Sequence, residues 1–383
     1  MPAVDRLPDQ FFTAILARVA AARADPALQA VVDLGRGNPD LQPPTHAIAA
    51  LQDAAAGGGQ AVHGYPPFSG LPALREAIAA RYAADHGVTL DPETEVAVIP
   101  GTKTGIMLVT LAVAGGGDAV LLPDPGYPDY LSALALAGAR HVPLPLRAAD
   151  GFQPDFAGLA AERPALVVLN YPSNPTAAAE HPGTFEAAAA YASERGAVLL
   201  NDFAYGALAF DAPARSVLAA PGAREVAVEL WSASKLYGMA GWRVGFVVGR
   251  ADVVARVQTL VDHTTAGVFA AVQHGLHAAL TGPQDSVVAA RDTYRRRRDG
   301  LVAALRGAGV GAADLAAPEG TFFAWWRLPA GLDAATLLRE HRVAVAPGEG
   351  FGAEGAGWAR LSLATDDATL AEGAARLVTA LTA

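Results

Sequence analysis

The sequence of 383 residues predicts an α/β protein: a large domain built on a mostly parallel sheet, with a smaller α+β domain after it. Three observations carry this expectation. Between residues 96 and 248, short runs of Val, Leu and Ile alternate with stretches of helical period, as in strands buried on both faces of a parallel sheet. After about residue 280 that alternation gives way to a long helical period and two later strand-like runs, at 321–327 and 343–346. The apolar fraction of 52% fills a large core, and the length exceeds what one core usually serves.

Taken in order, residues 9–24 have the period of an amphipathic helix, and 31–34 form a short strand. That strand runs into the polar turn Gly35-Arg36-Gly37-Asn38-Pro39-Asp40. Helical period returns at 71–86 and Gly87 closes it. Strands follow at 96–99, 119–122, 166–169, 198–200, 226–231 and 244–248, with helices at 104–114, 131–137 and 185–193. The expected division is an N-terminal arm (1–44) that joins the small domain, a large domain (45–280) and a small C-terminal domain (281–383). Open parallel sheets bind ligands beyond the carboxyl ends of their strands. The loops after Ile99, Leu122, Leu169, Leu200 and Trp231 therefore share one edge, and they hold most of the unusual residues.

The bulk properties exclude several functions. A net charge of −10 disfavours nucleic acid as a partner, since phosphate binding needs a basic surface. The one basic run, 295–298, reads as a solvated or domain-linking helix face. Without cysteine there is neither a disulfide framework nor thiolate chemistry. The longest apolar stretch, near 106–114, is too short to span a bilayer, and the N-terminus lacks a signal-peptide pattern, so a cytoplasmic location is expected. No spacing of His, Asp and Glu suggests a metal.

Lysine usage points to covalent chemistry. Only Lys103 and Lys235 occur, within a total of 28 basic residues. Arg serves wherever a cation keeps the surface wet, but a guanidinium cannot lose its proton and attack a carbonyl. A lysine kept against that bias is a candidate for Schiff-base chemistry. Lys103 lies in Pro100-Gly101-Thr102-Lys103-Thr104-Gly105, which opens a helix whose free N–H groups could cradle a phosphate. Lys235 lies in Ser232-Ala233-Ser234-Lys235, eight residues before Arg243. Between them come Tyr127, held by prolines, the run Asn170 to Thr176, and Asp202 with Tyr205. A buried carboxylate at Asp202 needs a cationic partner, which a pyridinium N–H would supply.

These motifs, in this order from about residue 34 to 362, resemble the class I/II aminotransferases of pyridoxal-phosphate fold type I. The resemblance implies that fold, with a seven-stranded type of sheet, and a pyridoxal 5′-phosphate cofactor bound covalently to Lys235. It implies Ser232, Ser234, Arg243, Thr102 and Lys103 around the phosphate, and Asp202 on the pyridine nitrogen. Asn174 and Tyr205 would donate to the ring's phenolic oxygen, and Tyr127 would stack on the ring. Arg360 would clamp the substrate α-carboxylate, with Gly37 and Asn174 beside it. Tyr65 would reach the phosphate of a neighbouring subunit, so a homodimer with shared sites is implied.

The strings Gln10-Phe11-Phe12, 124–130 and 202–210 resemble the methionine/glutamine type of methionine salvage most closely. The phosphate loop also resembles the alanine and LL-diaminopimelate branch, although Gln10 stands where diaminopimelate enzymes tend to have Tyr. Ala177 replaces the usual Gly after Asn-Pro-Thr, a change accommodated if its φ is negative. The implied activity is ping-pong transfer of an amino group between an L-amino acid (methionine, glutamine, aromatic or alanine) and a 2-oxo acid. Phe11, Phe12 and Phe269 suggest an apolar or neutral substrate pocket. A lyase or decarboxylase on the same cofactor, or an LL-diaminopimelate-type aminotransferase, is the alternative. A cofactor-sensing regulator would need an added DNA-binding segment, and too few residues precede the pattern to hold one. His63 and His263 read as structural or solvated.

Overall fold

The computed structural model describes residues 2–25, 30–159 and 162–382. Its strands in chain order are β1 Val32–Asp33, β2 Val96–Ile99, β3 Ala119–Asp124, β4 Arg140–Pro145, β5 Pro164–Leu169 and β6 Val198–Asp202. They continue with β7 Ala227–Ser232, β8 Gly245–Gly249, β9 Phe323–Arg327, β10 Val343–Ala344, β11 Ala346–Pro347 and β12 Trp358–Ser362. Seven of them form one sheet in the order β2-β8-β7-β6-β5-β3-β4. Only β8 runs against its neighbours; the pairs β7–β6, β6–β5, β5–β3 and β3–β4 are parallel. The interior strands are buried on both faces, which is why they read as continuous apolar runs rather than alternating ones.

The α/β fold with a mostly parallel seven-stranded sheet agrees with the expectation from sequence. One strand was not expected. The edge strand β4, Arg-His-Val-Pro-Leu-Pro, carries two prolines, which remove ladder donors and suit only an edge. The helices Thr45–Gly57, Ala251–Thr264 and Ala270–Thr281 also escaped the pattern. In the last of them Gly275 interrupts the apolar stripe. A Cβ there would lie 2.5 Å from the Trp242 ring, so close helix packing requires the glycine.

A separate antiparallel sheet, β11-β12-β9, has its own core around Phe322, Trp326, Leu337 and Leu361. The N-terminal segment joins this part of the molecule through β1, which pairs in parallel with β10. The helix Asp285–Gly307 connects the two sheets, and half of its basic run, Arg297 and Arg298, is buried. Arg297 bonds Asp40 at 2.8 Å and Asp367 at 2.7 Å, while Arg298 reaches Asp211 and the Pro318 carbonyl. Arg297 and Arg298 thus link segments, while Arg296 faces solvent. Among the described residues no helix is long and apolar enough to cross a membrane.

A buried polar ladder keeps the carboxyl ends of β5, β6 and β7 in register. Glu229 on β7, fully buried, accepts from the Asn201 amide, the Tyr82 and Ser216 hydroxyls and the Val217 N–H. Asn170, just beyond β5, donates to the Asp202 carbonyl at 2.6 Å. Buried polar groups are tolerated only when satisfied in this way. These bonds fix where Asn170, Asp202 and Ser232 emerge.

Candidate active site

The strand ends, the turn after β1 and one face of the N-terminal helix Phe11–Arg23 enclose a cavity of about 460 Å³. Gly37, Thr102, Lys103, Tyr127, Asn174, Asp202, Tyr205, Ser232, Ser234, Lys235, Arg243 and Arg360 all line it. Twelve of the thirteen site residues expected from sequence therefore meet in one place. Tyr65 does not: it lies outside this cavity, 87% exposed, with its ring edge against Phe68.

One end of the cavity is built to receive an anion. The helix Thr102–Val113 points its N-terminus at it, and Gly101 precedes that helix with φ +82. A Cβ on Gly101 would stand 2.6 Å from Arg243 Nη2, so the glycine lets that guanidinium lie over the turn. Arg243 donates to the carbonyls of Ala240 and Pro100. Ser232 caps the next turn, accepting from the Ser234 N–H. The two lysines separate here. Lys103 Nζ lies 2.9 Å from Asp129 Oδ2, so its charge is already paired, and Gln10 donates to the other oxygen of Asp129.

Lys235 sits at the centre. Its Nζ donates to the Gly37 carbonyl at 3.2 Å and lies 5.4 Å from the centre of the Phe322 ring. Burial, aided by the positive charges of Arg360 and Arg243, lowers its pKa to about 8, so a neutral amine is accessible. Asp202 has the opposite shift. Burial raises its carboxyl to about 6, against the lowering effect of the Tyr130 hydrogen bond, the Ala204 N–H and Lys235. Tyr130 donates to Asp202 Oδ2 at 3.0 Å, and Asp202 Oδ1 is buried with no partner among the described residues. Such an orphan acceptor fits an N–H brought by a bound ring.

Arg360 closes the other end at 1% exposure. Its Nη1 donates to Asn174 Oδ1 at 2.7 Å and its Nη2 to the Gly35 carbonyl at 3.1 Å, while Nε stays buried and unpartnered. The guanidinium lies 4.0 Å from the Phe323 ring centre and 4.8 Å from that of Phe351. Burial lowers its pKa to about 10, which leaves it charged near neutrality. Gly37 is needed beside it, because a Cβ would come within 2.9 Å of Phe323. Tyr205 lies edge-on to Phe322 and Phe323, and burial raises its phenol pKa, so it remains a donor.

Some expectations from sequence fail. Ala177 has φ +59, not a negative φ, and so occupies the left-handed region that favours Gly. It is held there by its N–H on the Ser173 carbonyl and by its own carbonyl, which accepts from Glu319 and Gly320. Phe12 lines the cavity, but Phe11 packs behind it on Phe351, and Phe269 is exposed elsewhere. His63 bonds the Ala55 carbonyl, and neither it nor His263 reaches the cavity. Missed from sequence were Tyr130, Asn170, Ile15 and Leu16. Tyr130 is separated from Tyr127 by a turn that begins a helix, so no periodic signal marked it as facing Asp202.

Comparison with known proteins gives a consistent result. The family model described as "Aminotransferase class I and II" matches residues 29–377. The L-glutamine--4-(methylsulfanyl)-2-oxobutanoate aminotransferase of Bacillus subtilis is 39% identical over 97% of this chain and 94% of its own length. An LL-diaminopimelate aminotransferase of Desulforudis audaxviator is 40% identical over 95% of this chain and 94% of its own. Among solved structures, substrate-bound BacF of Bacillus subtilis superposes with a TM-score of 0.93 at 36% identity, covering 99% of this chain and 97% of that one.

Proposed function

Because this chain belongs to the class I and II aminotransferase family, and is an aminotransferase, we propose that its cavity holds pyridoxal 5′-phosphate on Lys235 and takes amino acids with neutral side chains. The observation that carries the cofactor assignment is Asp202 Oδ1, a buried acceptor without a partner, in the same cavity as a lysine whose amine is held near neutrality. When bound, the cofactor supplies a carbonyl that exchanges for the substrate amine and a ring that takes up the electron pair left at the substrate α-carbon.

The chain's own residues have separable tasks. Thr102, Ser232, Ser234 and Arg243, with the N-terminus of helix Thr102–Val113, hold the phosphate, and Lys103 contributes mainly through its backbone. Asp202 accepts from the ring N–H and so keeps that nitrogen protonated. Asn174, whose Oδ1 is taken by Arg360, turns its amide donor to the ring oxygen, as Tyr205 does with its hydroxyl. Tyr127 stacks on the ring. Arg360 receives the α-carboxylate as a two-pronged donor, with the Gly37 segment beside it. Lys235 Nζ, once released from the cofactor, would take the proton from the substrate α-carbon and deliver it to the cofactor carbon that had carried the imine. The reaction is a ping-pong cycle in which a second oxo acid recovers the amino group.

Substrate preference follows from the apolar part of the cavity lining. Phe12, Ile15, Leu16 and Phe323 are apolar, Lys103 is paired with Asp129, and Arg36 shares the lining with the carboxylate of Asp33. This favours glutamine- or methionine-like side chains over a free side-chain carboxylate, in keeping with the glutamine-using relative. The exposed Tyr65 supports a homodimer in which it reaches the partner's phosphate, and the separate three-stranded sheet supports a reading of the chain as an arm, a large domain and a small domain at 1–44, 45–280 and 281–383. Replacement of Lys235 by Ala tests the assignment: turnover is lost while the cofactor still binds, and full transamination by that variant refutes it.

A further inference from the structure

Asp202 is held by a residue that the sequence pattern did not single out. Tyr130 is the second residue of the helix Asp129–Ala137 and is 1% exposed. Its hydroxyl lies 3.0 Å from Asp202 Oδ2, and its ring meets the Tyr127 ring edge-on at 5.6 Å between centroids. The Asp202 backbone is separately pinned by Asn170 through the carbonyl. The preceding residue, Asp129, ties the same helix start to Lys103 of the phosphate turn and to Gln10 of the N-terminal arm.

We propose that Tyr130 is a positioning residue: its phenol fixes the Asp202 carboxylate, leaving Oδ1 turned toward the cavity and the group charged for the ring nitrogen. A buried carboxylate without this donor could turn about its last side-chain bond and would favour its neutral form. A neutral acid cannot keep a pyridine nitrogen protonated, so the electron sink would weaken. Burial and the neighbouring Asp202 charge raise the Tyr130 phenol far above its ordinary range, so it stays a donor at every working pH. The four-residue group Tyr127 to Tyr130 thereby ties the stacking ring, the phosphate turn and the ring-nitrogen carboxylate to one helix start.

The consequence for catalysis rests on the cofactor reading above, but the primary test does not. In the unloaded protein, the protonated-carboxyl infrared band of Asp202, isolated by subtracting Asp202→Asn, is followed against pH. Tyr130→Phe keeps the ring and removes only the hydroxyl. The titration moves upward by about one pH unit, the worth of one hydrogen bond to a charged group. An unchanged titration means that Tyr130 is packing only and overturns the proposal. If the Phe variant fails to fold, 3-fluorotyrosine at position 130, a stronger donor, moves the same titration downward; no movement again overturns it.

Discussion

Arg360 and Asn174 are joined by a buried hydrogen bond of 2.7 Å, from Nη1 to Oδ1, between a strand of the small sheet and a loop at the end of the large one. The bond couples the two binding tasks of the cavity. It spends the amide oxygen of Asn174; under the proposed function, the amide donor is left for the cofactor and the guanidinium for the incoming carboxylate. Replacing Arg360 by Lys removes the planar fork and this bond together. The apparent KM for both amino acid and oxo acid rises about tenfold or more, the scale of one charge-assisted hydrogen bond. Steady-state kinetics with both substrates check this; an unchanged KM removes Arg360 from the role.

Lys235 gives the unloaded protein a pH signature. Its pKa is lowered from an ordinary 10.5 to about 8, chiefly by burial. The neutral amine is the nucleophile, so the rate of covalent cofactor capture climbs as pH rises through about 8 and is flat above it. A lowered lysine pKa favours the folded state above the unfolded value of 10.5, and that contribution is lost as pH falls through about 8. Stopped-flow absorbance at several pH values checks the rate. A profile that keeps rising past pH 10 contradicts it.

Asp202 acts in the acid range with the reverse sign. Its carboxyl is raised from 3.8 to about 6, so its contribution to stability is complete below 3.8 and lost as pH rises through about 6. Above that range the unloaded fold carries a buried charge whose Oδ1 lacks a donor. Asp202→Asn therefore stabilises the unloaded protein at pH 7 by on the order of 2–3 kcal/mol, and the gain vanishes by pH 4. Thermal melts of both proteins across that range measure it. A constant difference at every pH contradicts it.

Gly101 is required by its backbone and by its neighbour. With φ +82, Gly101→Ala strains the turn, and its Cβ would also displace the Arg243 guanidinium, whose Nη2 lies 2.6 Å from that position. The Gly101 backbone, φ +82 with ψ 162, is open essentially to Gly alone and costs another residue about 1–3 kcal/mol. Cofactor Kd rises by about tenfold or more on that scale, while the melting temperature of the unloaded protein falls by only a few degrees. Fluorescence titration with the cofactor decides it, and wild-type affinity in the variant refutes it.

Much of this was legible before any coordinates. Buried strands such as Val-Leu-Leu-Asn-Asp and Ala-Val-Glu-Leu-Trp-Ser are continuous apolar runs ending in polar residues, so both the sheet and its functional edge show in one dimension. Lys235 stood out because arginine had replaced lysine almost everywhere else. The features that were missed depend on three-dimensional neighbours. The strand β4 is an edge that tolerates prolines, Ala177 is forced to positive φ by bonds to residues 319 and 320, and Tyr130 meets Asp202 across 72 positions of chain. Lys103 is the same residue type as Lys235, but its amine is paired with Asp129, a contact no sequence pattern marks.

The central claim is that this cavity passes an amino group through a cofactor held by Lys235. The direct measurement is the absorption spectrum of the loaded protein as single amino acids, then single 2-oxo acids, are added. Transfer predicts conversion to the amine form of the cofactor with glutamine or methionine and recovery of the aldehyde form with an oxo acid, with no ammonia or carbon dioxide released. Release of either gas, or a spectrum that never recovers on adding an oxo acid, would contradict it.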